Sequence, residues 1–167
     1  MRAGRRLRPP GMRVYVVCMS ESHAAQGMPP AVERVLRQFR ALGREEKMQA
    51  LLHHARRLEP VPERYADVDR SSFAVHECQT PVALFAEHRD GRMYYYADVN
   101  ARQSPTVAAF LAILFAAING STPEEIEAIP LDFVRQVMDG IGLAGREAGL
   151  TAMLARVKRH ALLARAT

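Results

Sequence analysis

The chain predicts an α+β protein, a small three-stranded antiparallel sheet packed against helices. Three observations carry this. Two helical segments with apolar residues at helical spacing precede residue 60. β-rich segments follow between Phe73 and Val99, two of them joined by an Asp90-Gly91 turn. A stretch without charge, Thr106 to Ile118, then opens a series of four helices.

The 167 residues suit one domain with a real core, and 49% hydrophobic and 25% charged residues are ordinary for a globular protein. The longest apolar run, Thr106 to Ile118, is short of the roughly 18–20 residues of a membrane span, so no membrane role is expected. The net charge of +5 is unevenly placed. Residues 1–28 hold five arginines against Glu21, and residues 29–167 are close to neutral. The excess therefore lies in an N-terminal leader, and no nucleic-acid partner is expected for the body. Met1, Met12, Met19 and Met28 are all candidate starts. The apolar centre at Val14 to Met19 is short for a signal peptide, and an Arg-rich leader is also the composition of a transit peptide. The expectation is a dispensable leader over 1–28, a working domain over 29–167 and a cytoplasmic protein. Two cysteines, one in the leader, make no disulfide framework.

After Pro29-Pro30, Val32, Val35, Leu36 and Phe39 follow i, i+3, i+4, i+7 spacing and predict a helix that Gly43 breaks. A second runs from about Arg44, with Met48, Leu51, Leu52, Ala55 and Leu58 on its inner face, and Pro60 and Pro62 stop it. His53 and His54 are adjacent, point apart and share no metal. Residues 63–72 read as a polar surface loop. The first strand runs from Phe73 into Cys78, placing Ala74, His76 and Cys78 on one face. Val82 to His88 and Arg92 to Val99 are the other two strands, joined by Asp90-Gly91, a type I′ signal. Tyr95 faces opposite to Tyr94 and Tyr96. Ser104-Pro105 caps a helix that is apolar on every face, hence buried, and Asn119-Gly120 ends it. Thr122-Pro123-Glu124-Glu125 is a capping box. Leu131, Val134, Val137, Met138 and Ile141 mark a further helix. The last starts near Arg146, with Leu150, Met153, Leu154, Val157 and Ala161 inside and Arg156, Lys158 and Arg159 outside.

Few residues offer chemistry. His76 and Cys78 supply two metal ligands at most, with no third placed beside them. Only Lys47 and Lys158 are present for a pyridoxal enzyme, and no phosphate-cradling glycine loop exists. A cysteine hydrolase needs a histidine base. His76 is too close along the strand, and His160 falls on the polar side of the last helix. Cys78 alone reads first as a small buried hydrophobe. Two features raise it above that. The turn after it carries the thiol to a hairpin tip. Arg146 opens the last helix, where a cation opposes the dipole, and arginine with a helix N-terminus stabilises a thiolate or persulfide.

Val75-His76-Glu77-Cys78-Gln79-Thr80-Pro81-Val82 resembles the V-x-G-C-Q-S-x-V-W signature of the SufE-type sulfur acceptors of iron–sulfur cluster assembly. Ser104-Pro105 through Thr122-Pro123-Glu124-Glu125-Ile126 is similar to that family's buried helix and T-P-E-E-I turn, and Arg146-Glu147-Ala148-Gly149-Leu150 through Met153 to its R-x-x-G-L-x-x-M block. The resemblance covers about residues 29–165. It implies a SufE/IscU-like fold and a protein that takes persulfide sulfur from a pyridoxal-dependent cysteine desulfurase of the SufS type, stimulating it, and passes the sulfur to an iron–sulfur scaffold complex. It places Cys78 as the persulfide carrier, Arg146 as its anion-stabilising or docking residue, and Gln79, Thr80 and His76 as supporting or partner-binding positions. No cofactor or metal of its own is implied, and a homodimer is left open. Glu77, Thr80 and Ala83 stand where the family has glycine, serine and tryptophan, and Pro81 makes the loop stiffer. The alternatives are a regulatory module that binds a desulfurase without carrying sulfur, and a cysteine hydrolase.

Overall fold

The computed structural model describes residues 27–142 and 144–166. All but the last two residues of the expected 1–28 leader lie outside them. Six helices and one hairpin form these residues: α1 Pro30–Ala41, α2 Arg44–Ala55, β1 Val82–Arg89, β2 Arg92–Val99, α3 Pro105–Ile118, α4 Pro123–Glu127, α5 Phe133–Met138 and α6 Ala144–Arg165.

The sheet has two strands, not the expected three. β1 and β2 pair antiparallel, with Phe85 opposite Tyr96 and Arg89 opposite Arg92. Asp90 and Gly91 take φ of 51° and 73°, the left-handed pair a type I′ turn requires. The expected first strand is reduced to one bridge, Ala74 to Ala83, and one bond from Val75 N to Val82 O (2.9 Å). Local chemistry explains the loss. Asp69 accepts from the Ser71 amide (3.0 Å) and pairs with its hydroxyl (2.6 Å), winding Arg70–Phe73 into a 3-10 turn. Asp and Ser bonding their own backbone compete with an extended strand. The 63–72 segment is thus no free loop. Arg64 pairs with Glu87 and Arg70 with Asp98, tying it to the hairpin.

α3 is the centre of the molecule. Eleven of its fourteen residues are buried, Val107 to Phe115 among them without a gap, because α1, α2 and β2 pack around it. Its end is tied to β2 by Asn119, whose side chain accepts from Tyr95 N (2.8 Å) and donates to Tyr95 O (3.1 Å). Tyr95 is buried, opposite in sense to Tyr94 and Tyr96, and its hydroxyl donates to Val157 O on α6 (3.0 Å). α6 lies against α4, α5 and β1 and buries Leu150, Met153, Leu154, Val157 and Ala161, the expected stripe.

Four expectations are corrected. α2 buries Lys47, Leu51 and Ala55, while Met48 and Leu52 are exposed. Lys47 reaches Asp139 O (2.8 Å), so its stem packs and its ammonium is satisfied. Leu131 is 78% exposed, because α5 starts only at Phe133. Ser104 occupies the N-cap of α3, but its hydroxyl bonds Thr80 Oγ1 (3.1 Å) instead of the helix. Arg156 and Lys158 do not simply face solvent; both bond backbone carbonyls of other segments, Arg156 those of Ala74 and Ser72 and Lys158 that of Ile129.

Candidate functional site

Cys78 lies on the loop between the Ala74–Ala83 bridge and β1, not at the end of a strand. Val75 is buried, His76 and Glu77 are exposed, and the Cys78 amide turns back to Val75 O (3.2 Å). This breaks the alternation expected from the sequence. The loop is a small closed cap on the start of β1, fixed at both ends. On one side Arg156 donates to Ala74 O (2.6 Å) and Ser72 O (3.4 Å). On the other Thr80 meets Ser104 at the head of α3.

Between these anchors the Cys78 thiol is free and half-buried. It faces the first turns of α6. A Cβ placed on Gly149 would lie 3.2 Å from Cys78 Sγ and 3.3 Å from its Cα, so loop and helix meet at backbone distance. Beside this contact opens a cleft of about 340 Å3, lined by Glu77, Cys78, Gln79, Thr80, Val107, Arg146, Gly149 and Leu150. Cys78, Arg146, Gln79 and Thr80 are therefore brought together, with the N-terminal turn of α6 beside them. Arg146 is exposed there. A guanidinium beside the N-terminal end of a helix favours an anion in this cleft. His76 is not brought in; it is exposed and lines none of the cleft.

Glu77 also lines a second cleft of about 440 Å3 along α6, with Arg156, Arg159, His160 and Leu163. His160 is half-buried, not on the polar side. Its ring stacks on Tyr95 (centroids 6.4 Å, 13° between planes). Burial, then the charges of Arg156 and Arg159, push its pKa down. Sequence reasoning missed Gly149, Ser104 and Arg156. Gly149 lay inside a quoted motif, but a residue without a side chain announces no chemistry. Among the described residues no three His, Cys, Asp or Glu side chains are grouped as a metal site would need.

Residues 33–161 match the family model SufE, described as an Fe–S metabolism associated domain. The chain belongs to the SufE family. An uncharacterized SufE-like protein of Mycobacterium tuberculosis (strain H37Rv) is 31% identical over 145 residues, spanning 82% of this chain and 95% of the relative. A SufE-like protein of Synechocystis (strain PCC 6803) is 28% identical over 108 residues, 64% of each. The solution structure of a hypothetical protein from Thermus thermophilus superposes with a TM-score of 0.72 at 30% identity, covering 84% of this chain and 99% of that one. These matches place this SufE-family protein in iron–sulfur metabolism and bear out the expected family and α+β class. Among the described residues no helix is long and apolar enough to cross a membrane.

Proposed function

We propose that the protein accepts sulfur from a cysteine desulfurase on Cys78 and hands it to an iron–sulfur scaffold, stimulating the desulfurase as it does so. The observation that carries this is a free, half-buried thiol on an anchored loop, opening onto a cleft that also holds Arg146. Family membership supplies the sulfur chemistry. The described residues hold one cysteine, too few ligands for a resident cluster, which favours carrier over scaffold.

The step is thiol exchange. Cys78 loses its proton to water. Its thiolate attacks the outer sulfur of the desulfurase persulfide. The new bond joins Cys78 Sγ to that sulfur, the desulfurase S–S bond breaks, and the desulfurase cysteine leaves as a thiolate that takes up a proton. Oxidation state is conserved, so no external oxidant or reductant is needed. A persulfide anion on Cys78 would share its cleft with Arg146 and the first turn of α6. Gln79 and Thr80 hold and line the loop.

The test is intact mass after incubation with a cysteine desulfurase and cysteine. One added sulfur on the wild type, absent from Cys78→Ser, is the expected result. An adduct that survives Cys78→Ser, or full desulfurase stimulation by that variant, overturns the carrier role. Arg146 is an exposed charge on the cleft rim. Arg146→Ala should slow transfer by roughly two- to fivefold, about 0.5–1 kcal/mol, and flatten its salt dependence.

A further inference from the structure

We infer that Gly149 is the positioning residue that seats the Cys78 loop. Its missing side chain lets the thiol park against α6, and the bulk at position 149 sets how far the loop stands open.

The geometry is one-sided. A Cβ at 149 would lie 3.2 Å from Cys78 Sγ and 3.3 Å from its Cα, closer than such atoms ordinarily pack, and 3.4 Å from its Cβ. Rotating the Cys78 side chain moves the sulfur but not the Cα. A methyl at 149 therefore presses on the loop backbone itself. α6 cannot retreat. Leu150, Met153 and Leu154, immediately after Gly149, are buried in the core, and Tyr95 bonds Val157 further along the same helix. The loop can retreat, since its outer face, His76, Glu77, Gln79 and Pro81, is exposed. Its anchors lie at its ends, the Arg156 bonds to Ala74 and Ser72 and the Thr80–Ser104 contact, and they leave the middle free to rise.

A glycine inside a helix is otherwise unfavourable, because it loses more backbone freedom on folding than alanine does. Gly149 sits in the second turn of a 22-residue helix, away from either end, so no cap or turn requires it. The contact with Cys78 does. Space for the outer sulfur of a persulfide then lies not toward Gly149 but in the adjoining cleft, beside Val107, Leu150 and Arg146. This consequence for sulfur delivery rests on the carrier reading above. The seat itself does not.

The experiment reads Cys78 accessibility without any desulfurase, so its failure is separate from failure of the carrier reading. In the full chain carrying Cys18→Ser, the rate of iodoacetamide alkylation is measured with glycine kept at position 149 and in the Gly149→Ala and Gly149→Leu variants. It is read at a pH high enough that the rate no longer rises, so that only access is compared. A thiol reached through a minor raised state reacts in proportion to that state's population, so making it dominant raises the rate by about tenfold or more. The expected order is glycine slowest, alanine faster and leucine fastest. Ala and Leu are both good helix formers, so a purely helical role predicts equal or better protection in both. Rates that do not rise with side-chain size overturn the seat. Should Gly149→Leu fail to fold, the parent chain and Gly149→Ala still decide. A parent thiol that reacts as fast as in the urea-unfolded chain means that no seat exists.

Discussion

His160 and Arg146 stand on one helix in opposite circumstances. The guanidinium reaches open solvent at the cleft rim, and the imidazole is half-buried against Tyr95. For His160 this has a consequence in pH. Its pKa is lowered below the ordinary 6.5 by burial, then by Arg156 and Arg159, and its Nδ1 is buried without a hydrogen-bond partner. Below pH 6.5 the unfolded chain binds a proton there that the folded protein resists. Stability is therefore whole above that pH and falls as pH drops through it. The thermal midpoint should fall from about pH 7.5 to about pH 5, and His160→Phe, which keeps the stack on Tyr95, should lessen the fall. His54, also lowered by burial and its neighbours His53 and Arg57, adds a slope of the same sign that remains. An identical slope in His160→Phe would remove the assignment. Of these residues only Arg146 was legible in the sequence, because a cation at a helix N-terminus is locally unfavourable and asks for a reason. Helical periodicity puts His160 on the polar side, but the Tyr95 ring extends the core to that side and covers it. Gly149 showed only as one letter of the R-x-x-G-L-x-x-M block, with no role attached, since a hydrogen has no chemistry until a partner approaches.

At the scale of elements, the hairpin was written locally and the Cys78 loop was not. Asp90-Gly91 fixes the turn, and the Tyr94, Tyr95, Tyr96 alternation fixes which face of β2 is inside. The β-propensity of residues 73–78 suggested a third strand, but the Asp69–Ser71 bonds wound the chain just before it. What shapes the loop instead comes from far along the chain. Arg156 reaches from α6 to the carbonyls of Ala74 and Ser72, and those carbonyls would otherwise face solvent or a missing strand. The helical pattern marks Arg156 only as outward, which is true of its Cα and false of its guanidinium. Arg156→Ala should cost about 1–2 kcal/mol in denaturant unfolding, the range for bonds to a charged donor that water partly replaces. It should also speed hydrogen exchange at the Val75 and Cys78 amides, whose bonds to Val82 O and Val75 O close the loop. Exchange there at the wild-type rate, with stability lost elsewhere, would show that the loop holds itself.

For the whole molecule the layers follow from composition. A helix without charge must be central, and α3 is; amphipathic helices must surround it, and α1, α2 and α6 do so directly or across the hairpin. Which surfaces meet was not legible, because the candidate site brings Cys78 against Gly149, and sequence spacing says nothing about such a pair. The charge layout was legible. Five arginines and one glutamate fall in residues 1–28, and the rest of the chain is nearly balanced. The described core runs from Val32 to Ala161, with Met28 packed against its edge, and it takes in most of α3. Every residue lining the Cys78 cleft lies between Glu77 and Leu150. We therefore expect a chain beginning at Gly27 to fold and work as the full protein does. Its thermal midpoint should lie within about 2 °C of the full chain's, a difference of less than roughly 1 kcal/mol for this size. Its rate of sulfur uptake from a desulfurase should be unchanged. The leader's arginines are expected to matter only in weak, salt-sensitive association with polyanions, which the shortened chain should lose. A shortened chain that folds with the same midpoint but takes up sulfur several-fold more slowly would make the leader part of the desulfurase-binding surface, and the working domain would then begin before residue 29.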